Sequence, residues 1–416
     1  MIFVAIELRR LLIGDPYGDY NFLRFPGETG PELLTYNDYY WAKEGKWFRE
    51  GDNASFLGGL KSLHARYVRV YGTTVSHFAP TFSCGAVARF GLGGSSQLGG
   101  SFILANPYSE ISVTNLQNYQ YYELRQTNPA QGRWRVSVRA PLGYQQDLDE
   151  IRLWEFIDIE PYLEDMIPAD ADTEVFQMPM GRYFVGTHYR WTAKRLTITL
   201  LFSRTETTLR KQLEGFLTKP SPRYPLELFI DNYLFRCAPA SLRFEPVGGI
   251  VIRAVIELQL LLPYGYHQDR TISALELVYP SNIFPMQMYP EVGGSVETPC
   301  EIRIAPGSAY NGFKIRITVA PSGQKVIYTM AGDEYGKVIS FQEDGRVLLA
   351  WRGASTSVTD VTERLDISSQ VPFVLHPGMN VISVEYLDPN DNPIADTYAW
   401  GIAIAYNKRV GEVVGL

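Results

Sequence analysis

Along most of this chain apolar and polar side chains alternate with a period of two, the pattern of strands that are half covered by a core. In RWRVSVRA, Trp134, Val136 and Val138 fall on one face and Arg133, Arg135, Ser137 and Arg139 on the other. The same rhythm predicts strands at RLTITLLF (195–202), LELFIDNYLFRCAPASLRFEP (226–246) and GIVIRAVIELQLLLP (249–263). A hairpin turn is expected at Asp231–Asn232, whose side chains tolerate positive φ. One stretch breaks the rhythm. In TETTLRKQLEGFLTK (205–219), Leu209, Leu213, Phe216 and Leu217 form a single helical stripe. Ser203 with Glu206 predicts a capping box, and Pro220 and Pro222 a stop. GGLKSLHARYVRVYG (58–72) fits a helix and a strand equally well.

These patterns divide the chain into blocks and predict a mainly β protein. Residues 1–150 read as a β-rich extension with many Tyr, Gly and Arg. Residues 151–280 carry the strands and the helix. Residues 281–298 read as a proline-rich linker. Residues 299–416 place strands every 8–12 residues with turn signals between them, the rhythm of a β-sandwich.

Composition narrows the function classes. The 416 residues are 45% hydrophobic and 20% charged, enough for real cores. Net charge is −7 with no run of five like charges, which argues against a surface built to grip phosphates. Cys84, Cys237 and Cys300 are odd in number and far apart, so no disulfide framework is expected and folding in a reducing cytosol is. The start, MIFVAIELRRLLIG, lacks the features of a signal peptide, and no apolar run of 18 residues predicts a membrane helix.

Candidate chemistry is sparse. There is no GxxxxGK[ST], HExxH or GxSxG, and the glycine-rich stretch 91–100 lacks phosphate-loop spacing. His64, His77, His188, His267 and His376 are dispersed. No catalytic residue, metal site or cofactor is predicted. The carboxylate groups Asp147, Asp149, Glu150 and Glu160, Glu164, Asp165 are expected on a solvated surface, and DPNDN (388–392) at a hairpin tip. Tyr39, Tyr40, Trp41 and Trp47 crowd beside Asp38, Lys43, Lys46 and Arg49. They are candidate contacts for a glycan or protein partner, and a two-sided core explains them equally well.

The later blocks resemble the distal tail protein (Dit) family of long-tailed, siphovirus-type phages. FIDIEPYL (156–163) is similar to the strand and turn that open the family's N-terminal domain. YRWTAKRLTITLLF (189–202), followed by the helix, is similar to its next strand. The hairpin 226–246 and the strand ending in LLPYGY (261–266) resemble its close, with Leu262 where the family has an acid. VISFQEDGRVLLAWRG, VPFVLHPGMNVISVEY and IAIAYNKRV resemble its C-terminal galectin-like sandwich, with the loop Leu375, His376, Pro377, Gly378, Met379, Asn380. The resemblance implies a non-enzymatic virion protein of the tail tip or baseplate, made in the host cytoplasm. It implies a homohexameric ring between the tail tube protein and the tail-tip hub protein, with DNA passing unbound through the lumen. The helix would pack across its sandwich, and the galectin-like domain would offer a platform for receptor-binding or accessory tail proteins. Residues 1–150 exceed the family pattern and are expected to bind host-surface glycan or an accessory protein. The alternatives are a carbohydrate-binding β-sandwich protein outside a tail and a glycan hydrolase using the carboxylates above.

Overall fold

The computed structural model describes residues 5–13, 47–49, 54–63, 66–72, 74–92, 99–114, 116, 120–129, 132–168, 173–180, 183–191, 195–218, 225–262, 264–276, 284–352, 358–396 and 398–411. Among them the protein is mainly β, with one α-helix, Thr207–Leu217.

One hydrogen-bonded sheet runs through all three blocks. Near its middle lies Ile6–Ile13, paired on one side with Gln145–Asp158 and on the other with Leu226–Ile230. With strands on both edges and cover on both faces, all eight of its residues are buried, including Arg9 and Arg10. From Leu226–Ile230 the sheet turns through Asp231 and Asn232, at φ 42° and 73°, into Tyr233–Val247. This is the predicted hairpin. It continues through Val251–Leu260 and Arg195–Ser203 to Leu163–Pro168. Gln145–Asp158 leads the other way to Arg66–Tyr71 and Gly85–Leu92. The C-terminal part joins through Gly265–Glu276, which meets Tyr233–Val247 at Tyr233 and Leu234 and then pairs along Gly401–Val410.

Two smaller sheets close sandwiches over this one. A five-stranded sheet, with Trp134–Arg139 between Thr74–Ala79 and Ser101–Asn106, encloses Phe90, Phe102, Trp134 and Ile151. A four-stranded sheet, with Lys314–Ala320 between Gln324–Thr329 and Val381–Leu387, encloses Ile302, Ile317, Tyr328 and Trp400. The helix covers the middle part, and its whole predicted stripe enters a core with Leu8, Leu200, Leu228 and Leu258. Its last turn is tied to the N-terminal strand: the Arg10 guanidinium donates to the Phe216 carbonyl and lies 4.9 Å from the Phe216 ring. A cation there meets the negative end of the helix dipole.

Several expectations are corrected. The division drawn at residue 150 falls inside Gln145–Asp158, one 14-residue strand, and the N-terminal strand pairs with residues 226–230 rather than within its own block. Residues 286–292, read as linker, form sandwich-edge strands: Met286–Met288 pairs with Val381–Leu387 and Glu291–Val292 with Gly378–Met379. Alternation put Met286, Met288 and Val292 inward, a pattern that the flanking prolines obscured. The capping box is absent, because the strand continues through Ser203 and Glu206 itself occupies the cap position. Ser137, expected outside, is buried and shares a 2.8 Å hydroxyl contact with Ser76 across the five-stranded sheet. Of residues 58–72, Gly58 ends the strand Ala54–Gly58 and Arg66–Tyr71 forms a strand, with no helix among the described residues of the stretch.

Candidate functional site

Of the four sequence-predicted contacts, Tyr39, Tyr40 and Trp41 lie outside the described residues. Trp47 starts the strand Trp47–Arg49, with its backbone opposite His77. Another run of aromatic residues, NYQYY (118–122), is described from residue 120 on. The Tyr121 hydroxyl donates to Glu150 at 3.1 Å and accepts the Arg270 amide at 3.0 Å, and Tyr122 meets Phe102 edge-on at 5.9 Å. Both serve the interior.

The described residues concentrate their polar chemistry at the junction of the three blocks. Glu301 and Arg303 stand on Thr298–Ala305, where alternation points them away from the sandwich core that holds Ile302 and Ile304. Arg303 donates to Glu301 at 2.9 and 2.8 Å and to the carbonyls of Leu60, Ser62 and Leu63 in the N-terminal block. Arg270 donates to Glu301 at 2.9 Å and to Asn407 at 3.1 Å, and forms an ion pair with Glu343 at 2.5 Å. Ser340 and Gln342 complete the shell of Glu301. Burial alone would raise the pKa of Glu301, but Arg303, Arg270 and Ser340 more than reverse that and hold it well below the carboxylate range.

A second buried set flanks Trp154. Its indole donates to Glu227 at 2.7 Å, the Tyr266 hydroxyl donates to the other Glu227 oxygen, and Arg9 lies 3.5 Å from the Phe229 ring centroid and 5.4 Å from that of Trp154. Arg9 also pairs with Glu7, which Arg125 reaches at 2.5 Å.

The expected surface carboxylates divide. Glu164 and Asp165 are exposed, and Glu164 forms a two-point pair with Arg253 at 2.9 and 3.0 Å. Asp147, Asp149 and Glu150 are instead buried. Arg69 grips Asp147 at 2.6 and 2.7 Å, the Leu63 amide donates to Asp149, and Arg152 pairs with Glu150. Partners more than 75 residues away supply the first two, so no local pattern could reveal them. Each of these carboxylates is held by donors. Among the described residues no group of three or more His, Cys, Asp or Glu side chains could hold a metal, and no helix is long and apolar enough to cross a membrane.

No family model matches this chain, and no curated protein matches it. Among solved structures it is similar to the SPP1 Dit (gp 19.1) protein, described as a paradigm of the hub adsorption apparatus in Gram-positive infecting phages. Identity is 13%, over 61% of this chain and 96% of that one, with a TM-score of 0.39. It is also similar to the phage P2 baseplate in its activated conformation with Ca, at 10% identity over 62% and 95%, TM-score 0.28. A third is TmCBM61 in complex with beta-1,4-galactotriose, at 14% identity over 26% and 88%, TM-score 0.22.

The junction residues went unnoticed in the sequence. Charged side chains at every second position, as Glu301 and Arg303 in CEIRIA, read by local pattern as a solvated face, and only the packing of the N-terminal block on that face buries them.

Proposed function

We propose that this protein is a structural component of a phage tail tip, a ring-forming piece between tail tube and tail-tip hub that also carries host-attachment proteins. The observation that carries the proposal is the order and joining of elements after Gln145–Asp158. A strand is followed by a single helix laid on a sandwich, a tight hairpin and a long strand, and then by a second sandwich hydrogen-bonded to the first through Gly265–Glu276 and Gly401–Val410. On that order the resemblance to distal tail proteins rests. A non-catalytic role is supported by the junction, where buried carboxylates are saturated by guanidiniums and hydroxyls. The net charge of −7 suits a lumen through which DNA slides without being held. The proposal includes Tyr39, Tyr40, Trp41 and Trp47 as contacts for an outside partner.

Light scattering and negative-stain imaging of the full chain, alone and co-expressed with a tail tube protein, test the ring. A hexamer with a central hole is expected. A monomer at every concentration, with no ring on co-expression, overturns the reading. Release of reducing ends from host cell-wall glycan by the pure protein overturns the non-catalytic part.

A further inference from the structure

Gly265–Glu276, the strand that leads into the C-terminal sandwich, bulges where it changes partners. Between Tyr266, opposite Arg409, and Arg270, opposite Asn407, the three residues His267, Gln268 and Asp269 face the single residue Lys408. Such a bulge interrupts the ladder, so side chains must fix its shape. Gln268 is pinned to Asn232 by its amide at 2.8 Å and its side chain at 2.9 Å, which leaves the Asp269 peptide as the part free to turn. The N-terminal block holds the strand at this exit. Arg89 donates to the Asp269 carboxylate at 2.6 Å, and the Tyr121 hydroxyl accepts the Arg270 amide at 3.0 Å. Within the bulge the His267 ring stands edge-on to Tyr233, with centroids 5.3 Å apart. Its Nδ1 lies 3.1 Å from the Asp269 amide nitrogen and 3.3 Å from the Asp269 carbonyl oxygen. A bare Nδ1 accepts the amide N–H. A protonated Nδ1 opposes that N–H and has only the carbonyl to donate to, so the two arrangements exclude each other.

We propose that His267 is an acid-sensitive catch: protonation of its ring turns the Asp269 peptide, and with it the carboxylate that holds Arg89, so that the N-terminal block loosens from the strand carrying the C-terminal sandwich. The charged groups that face the ring are Arg89 of the N-terminal block, Lys408 of Gly401–Val410 and Asp269 of its own strand, and the titratable Tyr233 packs against it from the hairpin. Burial chiefly, with Lys408 and Arg89, lowers the pKa of His267, and Asp269 only partly offsets them. The neutral ring with a bare Nδ1 therefore belongs to the native bulge. The unfolded chain takes up the proton near the ordinary histidine value and the folded chain only below it. The native bulge thus loses stability as pH falls from the first value through the second. Release of Asp269 leaves Arg89 solvated and still paired, since it also donates to Glu123 at 2.9 Å and lies 5.0 Å from the Tyr121 ring centroid. The catch does not depend on ring assembly, so either can fail alone.

Amide hydrogen exchange of the full chain at about pH 7.5 and about pH 5.5, corrected for the intrinsic rate, tests the catch, with thermal melting as the folding control. At the lower pH, exchange at Asp269 and Arg270 and along the strand Tyr121–Gln126 should be about tenfold faster, with the helix Thr207–Leu217 unchanged. His267→Asn keeps an acceptor oxygen and cannot take a charge, so its exchange should not respond to acid. Asp269→Asn removes the charge that holds Arg89 and should show the fast pattern at Tyr121–Gln126 already at the higher pH. If His267→Asn melts early, nitrogen NMR of the His267 ring in the native protein decides. A bare Nδ1 at the higher pH is expected, with protonation following the same midpoint as the change at the Asp269 amide. Equal exchange of the native protein at both pH values, an acid response that survives His267→Asn, or a protonated Nδ1 at the higher pH overturns the catch. Acid exchange spread evenly over the molecule, or slow exchange at Tyr121–Gln126 in Asp269→Asn, overturns it equally.

Discussion

Leu213 under the helix and Glu301 at the block junction are both sealed from water, at 0% and 3% exposure, yet they are held by opposite physics. Leu213 sits among Leu200, Leu228 and Leu258, where attraction scales with apolar area and has no direction. Glu301 is fixed by two guanidiniums, a hydroxyl and an amide, each demanding its own angle. The first arrangement tolerates repacking. The second admits one placement, since a slide that removes Arg303 from the carbonyls of residues 60–63 also strands a buried charge. The apolar core makes a sandwich stable, and the charged junction sets how the sandwiches meet.

The sharpest way to break this contrast is Glu301→Ala, which leaves Arg270 and Arg303 buried without their shared counter-ion. A loss of about 3–5 kcal/mol is expected in denaturant unfolding. Amide exchange should rise at residues 60–63 and 401–410 before it rises under the helix. Uniform loss of protection would mean that the junction has no separate role.

Leu213→Ala should cost about 2–5 kcal/mol, the range for a leucine emptied from a packed core. Its exchange signature should centre on Thr207–Leu217 and Arg195–Ser203. A cost below about 0.5 kcal/mol would show that the stripe is a surface rather than a core.

Acid separates the two regions next. Glu301 titrates below its unfolded value when folded, so its contribution is complete above the ordinary carboxylate range and is lost as pH falls toward its folded pKa. Between pH 7 and pH 3 the native protein should lose stability more steeply than Glu301→Gln, while Leu213→Ala should keep the native slope. Glu155 works the other way. Burial in the N-terminal sandwich raises its pKa despite hydrogen bonds from Thr81, Trp134 and Phe82, so its contribution is present at low pH and is lost as pH rises through that raised value. Parallel slopes for native protein and Glu301→Gln would refute the charged description of the junction.

The smallest effect is expected at the solvent-facing pair Arg253–Glu164. Arg253→Gln should leave the melting temperature unchanged, because an exposed pair gains little over its hydration. A clear drop would mean that this sheet face is covered in solution, as an interface between copies would require.

Much of the fold was legible because its causes are local. The alternation in residues 195–202 and 249–263, the stripe Leu209, Leu213, Phe216, Leu217 and the left-handed pair Asp231–Asn232 each depend on neighbours within one turn or one strand. What the sequence alone determined, then, was which faces must leave water. Only the tertiary structure decided what those faces meet. Ile6–Ile13 could have closed a sheet in its own block, but it fits between Gln145–Asp158 and Leu226–Ile230 because Arg9 finds Trp154 and Phe229 there, and Arg10 the last turn of the helix. Asp147, Asp149 and Glu150 look like surface residues to any local rule. They are interior because Arg69, the Leu63 amide and Arg152 meet them, and the cost of burying a charge depends on the groups that meet it, two of which here, the Arg69 guanidinium and the Leu63 amide, lie more than 75 residues away in the chain.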